Sequence, residues 1–159
     1  MNQLHIGGVA GQETPGPSRR SAHFRTRGAS LGLKAARTNE LIREVERGLS
    51  YKALESLAIE SGVAVSVLAS VIGIPGRTLA RRKTAGKLAP DESERLLRLS
   101  TVFEKAVGLF EGDVSAAVTW LTGAKKALGN QAPLAYSRTE IGAREVENLI
   151  GRLEHGVFS

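Results

Sequence analysis

From Thr38 onward the apolar residues recur at helical spacing. Leu41, Ile42, Val45 and Leu49 follow Thr38 or Asn39, either of which would cap a helix, and Gly48 stands near its end. Leu54, Leu57 and Ala58 predict a second amphipathic helix stopping near Ser61-Gly62, and short helices follow over 65–72 and 76–84. A longer helix is expected over 91–111, where Leu96, Leu99, Phe103, Ala106, Val107 and Phe110 form one stripe. Asp113 is a candidate N-cap for a helix carrying Val114, Ala117, Val118 and Leu121. After a loop over GNQAPLAYS, Ser137-Arg-Thr-Glu140 fits a capping box, with Ile141, Val146, Leu149, Ile150 and Leu153 on the last helix and Gly156 as its stop. No strand alternation competes with these patterns, so the expected fold is all-α. Residues 1–37 differ: six glycines, two prolines and few large apolar side chains predict a flexible basic arm, because too little surface is buried to offset ordering entropy.

Composition narrows the class. Of the 159 residues 42% are hydrophobic but only 4% aromatic, so the core is aliphatic and a deep stacking pocket for a large cofactor is not expected. The chain has no cysteine, which excludes disulfides, thiolate zinc sites and cysteine nucleophiles and fits a reducing cytoplasm. No apolar run is long enough to span a membrane, and the N-terminus lacks a secretory pattern, so a cytoplasmic location is expected. His5, His23 and His155 are not at metal-ligand spacing, and no GxxxxGK[ST], GxGxxG or GxSxG motif occurs. No metal, cofactor or catalytic residue is expected, and the chain does not read as an enzyme.

The net charge of +6 resolves into patches. Residues 1–37 hold six bases against one acid, and Arg77, Arg81, Arg82, Lys83 and Lys87 fall within eleven residues that contain no acid. Clustered cations attract polyanions by releasing condensed counterions, although such a run can equally be a solvated helix face.

The window VSVLASVIGIPGRTLARR, residues 65–82, gives the second patch a geometry. A helix-turn-helix needs a small residue where its helices cross, a turn residue tolerant of positive φ, and an apolar anchor on the second helix. Ala69, Gly73 and Leu79 meet that demand, with Leu68, Ile72 and Ile74 completing a small core and Pro75 at the entrance of the second helix. Arg77 with Arg81, and Thr78 with Arg82, are i, i+4 neighbours expected to share an outward face able to read base edges. Lys83 and Lys87 are better placed for phosphates.

Beyond residue 90, about seventy further residues exceed what a DNA-binding module needs. The ordered segments GLSYKALE (48–55), IPGRTLARR (74–82), GKLAPDESERLLRL (86–99), AVTWL (117–121), ALGNQAPL (127–134) and TEIGAREVENLIGRLEHGVFS (139–159) resemble the Xre-type antitoxins of RES-type toxin–antitoxin modules, the group that includes the ParS and MbcA antitoxins. The resemblance covers roughly residues 40–159; the glycine-rich leader has no counterpart.

The resemblance implies an Xre-like helix-turn-helix domain over 38–90 and a helical toxin-binding domain over 91–159. It implies that Arg77, Thr78, Arg81 and Arg82 bind the operator of the protein's own operon, repressing it as a homodimer. It further implies a RES-domain toxin, an NAD-consuming enzyme, as partner, its active-site cleft covered by the C-terminal helix and tail. On this sequence the toxin-contact candidates are Arg144, Glu147, Arg152, Glu154, His155, Val157 and Phe158. The alternative reading is a stand-alone helix-turn-helix regulator whose C-terminal half only dimerises. Trp120 suits either a core anchor or an interface.

Overall fold

The computed structural model describes residues 24–34 and 37–156. Within these described residues eight α-helices follow one another: α1 (Thr38–Arg47), α2 (Tyr51–Ser61), α3 (Val65–Val71), α4 (Gly76–Ala85), α5 (Pro90–Leu109), α6 (Val114–Thr122), α7 (Pro133–Tyr136) and α8 (Glu140–Glu154). Among the described residues no strand forms; only two isolated antiparallel bridges occur, Ser50 with Lys87 and Lys125 with Gln131. The all-α expectation holds.

The chain is organised around α5. Its 20 residues span about 30 Å, and its buried side chains, among them Leu96, Leu99, Val102, Phe103, Ala106 and Val107, point to more than one side. The packing against α5 of α1 and α2 and of α6 and α8 places the two halves of the chain on one helix. A single apolar cluster results, running from Leu41, Leu54 and Leu57 through Leu96 and Leu99 to Leu121, Val146 and Ile150. No single helix among the described residues is long and apolar enough to cross a membrane.

Several local expectations shift. The α1 helix starts at Thr38 with Arg37 at the cap, and Leu49 lies beyond it, buried, its N–H donating to Ser93 Oγ at 2.7 Å. Ile42, expected on the apolar stripe, is 51% exposed, because the helix buries Leu41 and packs Val45 on the adjoining face. The cap of α8 is Thr139, whose hydroxyl accepts from Gly142 N–H at 3.0 Å, whereas Ser137 is buried and donates back to the Pro133 carbonyl at 2.7 Å. The capping box therefore does not form on Ser137. GNQAPLAYS is more than a loop: it contributes to the Lys125–Gln131 bridge and contains α7. Asp113 caps α6 as expected, accepting from Ala116 N–H at 3.0 Å.

The expectation of a flexible arm fails for residues 24–34. Ala29–Leu31 form a turn of 3-10 helix in which Ser30 and Leu31 are buried. The Glu104 carboxylate on α5 accepts from the backbone N–H groups of Gly28 and Ser30, both at 3.1 Å, and from the Ser30 hydroxyl. Ser56 on α2 donates to the Ser30 carbonyl at 3.0 Å, and the Phe24 and Phe103 rings lie 5.6 Å apart. Local periodicity does not reveal this segment, because its anchors lie on helices far along the chain. Residues 1–23 and 35–36 of the expected arm lie outside the described residues.

Candidate functional site

The helix-turn-helix is built from α3, a turn over 72–75, and α4. Ala69 and Leu68 are buried where α3 meets its neighbours, and Ile74 N–H closes the turn on the Ala69 carbonyl at 2.8 Å. Gly73 adopts φ +76°, the left-handed region that a side chain would strain. Pro75 is the cap residue of α4, and its carbonyl accepts from Leu79 N–H at 2.9 Å.

No side chain of α4 is fully buried, so its position depends on few contacts. Leu79 packs partly into the core. The α5 helix supplies two polar clamps. Glu92, 6% exposed, takes the Arg82 guanidinium through Nε at 2.8 Å and Nη2 at 3.3 Å, and also accepts from Ala89 N–H at 2.8 Å. Arg95 donates from Nε to the Ile72 carbonyl in the turn at 2.7 Å, and from Nη1 to Asp91 at 3.2 Å. A third restraint is the backbone pairing of Leu88 N–H with the Leu49 carbonyl (2.8 Å) and of Tyr51 N–H with the Gly86 carbonyl (3.0 Å).

The six candidate DNA contacts therefore separate. Arg77, Arg81, Lys83 and Lys87 are exposed, and Arg81 Nη2 lies 3.4 Å from the half-buried Thr78 hydroxyl. Arg82 does not share that outward face: its guanidinium is turned to Glu92, which raises its pKa above the ordinary arginine value. What remains outward is a pair of unshielded guanidiniums one turn apart, a geometry suited to guanine edges in a major groove. The sequence pattern does not single out Glu92 and Arg95. An acid at the third position of a helix starting in Ala-Pro-Asp-Glu signals reach to its own cap, but pairing with Arg82 depends on how α4 lies across α5.

The candidates on α8 also separate. Ala143, Val146, Leu149 and Ile150 bury one face. Arg144 and Glu147 flank it on the side toward α1 and α5. There, with Leu41, Ile42, Val45 and Leu97, they line a groove of 490 Å³. Arg144 pairs with Glu140 at 2.9 Å and Glu147 with Lys105 at 3.5 Å. Arg152, half-buried, falls instead on a stripe with Ile141, Glu145 and Asn148, spaced at i, i+4, i+7 and i+11. Ile141 is 80% exposed, the most exposed of the large apolar side chains in the described residues, and its helical spacing sets it off the face that Val146, Leu149 and Ile150 bury. Glu154 and His155 are exposed in the last turn, and Gly156 at φ +64° turns the chain off the helix. Val157 and Phe158 lie outside the described residues. Trp120 is half-buried, with Lys125 Nζ 5.5 Å from its ring centre, beside a surface hollow that Phe110 and Asp113 also line. Among the described residues no group of histidines or acids could hold a metal ion.

Comparison with known proteins follows the same division. Residues 40–100 match the antitoxin Xre-like helix-turn-helix domain, and residues 105–156 the antitoxin Xre/MbcA/ParS C-terminal toxin-binding domain. The chain is 42% identical over 130 residues to an Antitoxin Xre of Yersinia enterocolitica, covering 81% of this chain and 88% of that protein. It is 33% identical over 131 residues to an Antitoxin Xre of Photorhabdus laumondii, covering 82% and 88%. With exposed arginines on the second helix of a helix-turn-helix and a toxin-binding domain on the same central helix, the chain belongs to the Xre family of antitoxins, which is not an enzyme family.

Proposed function

We propose that this antitoxin neutralises a RES-domain, NAD-consuming toxin by covering its active-site cleft with the C-terminal end of α8 and the tail, and that it represses its own operon as a homodimer through α4. The observation that carries the reading is that the helix-turn-helix match and the toxin-binding match meet on one helix, α5, with α4 and the end of α8 both left exposed.

The chemistry of each surface supports its assigned partner. Arg77 and Arg81 offer forked donors for guanine O6 and N7, each good pair being worth about 1–3 kcal/mol of discrimination. At the other end, Arg152, Glu154 and His155 place donors and an acceptor around the last turn of α8. His155 occupies the C-cap, and its N–H bonds to the Gly151 carbonyl. Gly156 lets the following residues leave the helix axis, and Phe158 would supply an apolar anchor for a concave site.

Co-expression with the product of the neighbouring gene tests the reading. The full chain should restore growth and co-purify with a RES-domain protein, whereas a chain lacking residues 155–159 should rescue poorly while still retarding operator DNA. Absence of a RES-domain neighbour, or full rescue by the shortened chain, overturns the toxin assignment.

A further inference from the structure

The bridge between Ser50 and Lys87 brings two cations that are remote in sequence to the exit of α4. Arg47, in the last turn of α1, and Lys52, in the first turn of α2, flank the segment Gly48–Ser50 that pairs with Gly86–Leu88. The approach is close: a Cβ on Gly48 would collide with the Leu88 carbonyl and lie 3.1 Å from Lys87 Cε, so the Lys87 side chain passes close to Gly48, the residue that follows Arg47. Arg47, Lys52, Lys83 and Lys87 are all exposed, and none makes an ion pair among the described residues.

The opposite end of the helix-turn-helix has the reverse character. Between Glu60 and Arg77 no residue carries a charge, the exposed side chains of that stretch include Val67, and Arg95, which reaches the turn at the Ile72 carbonyl, is paired with Asp91. A major groove is about 12 Å wide, while the ten residues of α4 rise about 15 Å. A helix presenting Arg77 and Arg81 to base edges thus carries its last turn to a groove wall, where the phosphates are.

We propose that Arg47 and Lys52, held beside Lys83 and Lys87 by the Ser50–Lys87 bridge, form a phosphate clamp that grips duplex DNA on the α4-exit side only. The inference rests on the DNA-binding reading above and adds where the backbone is held. Its ligand is the sugar-phosphate backbone, so the clamp adds affinity and orientation without sequence information.

The test is binding of the full-length Arg47→Gln/Lys52→Gln protein to a duplex from upstream of its own gene and to a scrambled duplex of equal length, titrated with salt. Affinity should fall by the same factor on both duplexes, and the slope of log K against log salt should shrink by about 0.9 for each phosphate no longer neutralised, about 1.8 per bound protomer. In parallel, Arg77→Ala should reduce preference for the upstream duplex over the scrambled one. Unchanged slope and affinity in the double variant, with the Arg77 effect present, overturns the clamp and leaves the recognition helix standing. Failure of the wild-type protein to retard either duplex overturns both. Thermal unfolding of the double variant should match wild type, since both side chains are exposed.

Discussion

Arg77, Arg81 and Arg82 are chemically alike, but their surroundings give them different consequences. Replacing Arg77 or Arg81 by Ala should leave the melting temperature within about a degree and cost operator discrimination of about 1–3 kcal/mol. Arg82→Ala should act on stability instead, lowering the melting temperature measurably below that of the Arg77 and Arg81 variants, because it leaves the buried Glu92 carboxylate with its cap N–H but no cation. Thermal melts and gel shifts on the three variants check this, and a stable Arg82→Ala protein without operator affinity would reverse the assignment. Glu104 is the second informative residue. Burial pushes its carboxyl above the usual carboxylate range, while the Ser30 and Gly28 donors pull the other way. A carboxyl whose pKa rises on folding binds its proton more tightly in the folded state. Its contribution is therefore full below the ordinary value of 4.5 and is lost as pH rises through the raised folded value. From about pH 4.5 upward, wild-type unfolding free energy should decline relative to Glu104→Gln; parallel urea-denaturation profiles for the two proteins would contradict this.

Among the elements, α8 carries the sharpest steric requirement. A Cβ on Gly142 would run into the Tyr136 carbonyl, so glycine lets the first turn of α8 lie against the end of α7. Gly142→Ala should destabilise by about 1–3 kcal/mol through overpacking, shift α8 and weaken toxin binding more than operator binding. Calorimetry with a co-purification assay measures both effects, and an unperturbed melting temperature would mean that the corner yields freely. The sequence pattern locates α8 to within a few residues but misjudges its cap, because the Ser137 hydroxyl turns back to the Pro133 carbonyl of α7 and Thr139 caps instead. Spacing reports which residue types are near one another along the chain, whereas the partner a polar group takes depends on what is packed beside it. The same limit explains α4, whose outward arginines are legible at Arg77 and Arg81, while the withdrawal of Arg82 to a carboxylate on another helix is not.

For the whole molecule, the shared α5 predicts joint unfolding of the two family-matched regions. Leu99→Ala, removing a side chain that is 1% exposed, should cost about 2–5 kcal/mol. It should lower the transition seen by Trp120 fluorescence and that seen by far-UV circular dichroism together. Separate transitions would show that the halves melt independently despite their common core.

By itself, the sequence determined the helical class, most helix positions, the helix-turn-helix window and the two cationic clusters, because helical period, turn glycines and charge are properties of residues near one another along the chain. Only the tertiary structure decided that Phe24–Leu31 packs on α5, that Glu92 and Arg95 clamp the α3–α4 unit, and that Arg47 and Lys52 stand at the exit of α4. Each of these joins groups from separate elements whose spacing along the chain carries no fixed distance. The partners become neighbours only once the helices have buried their apolar faces against α5.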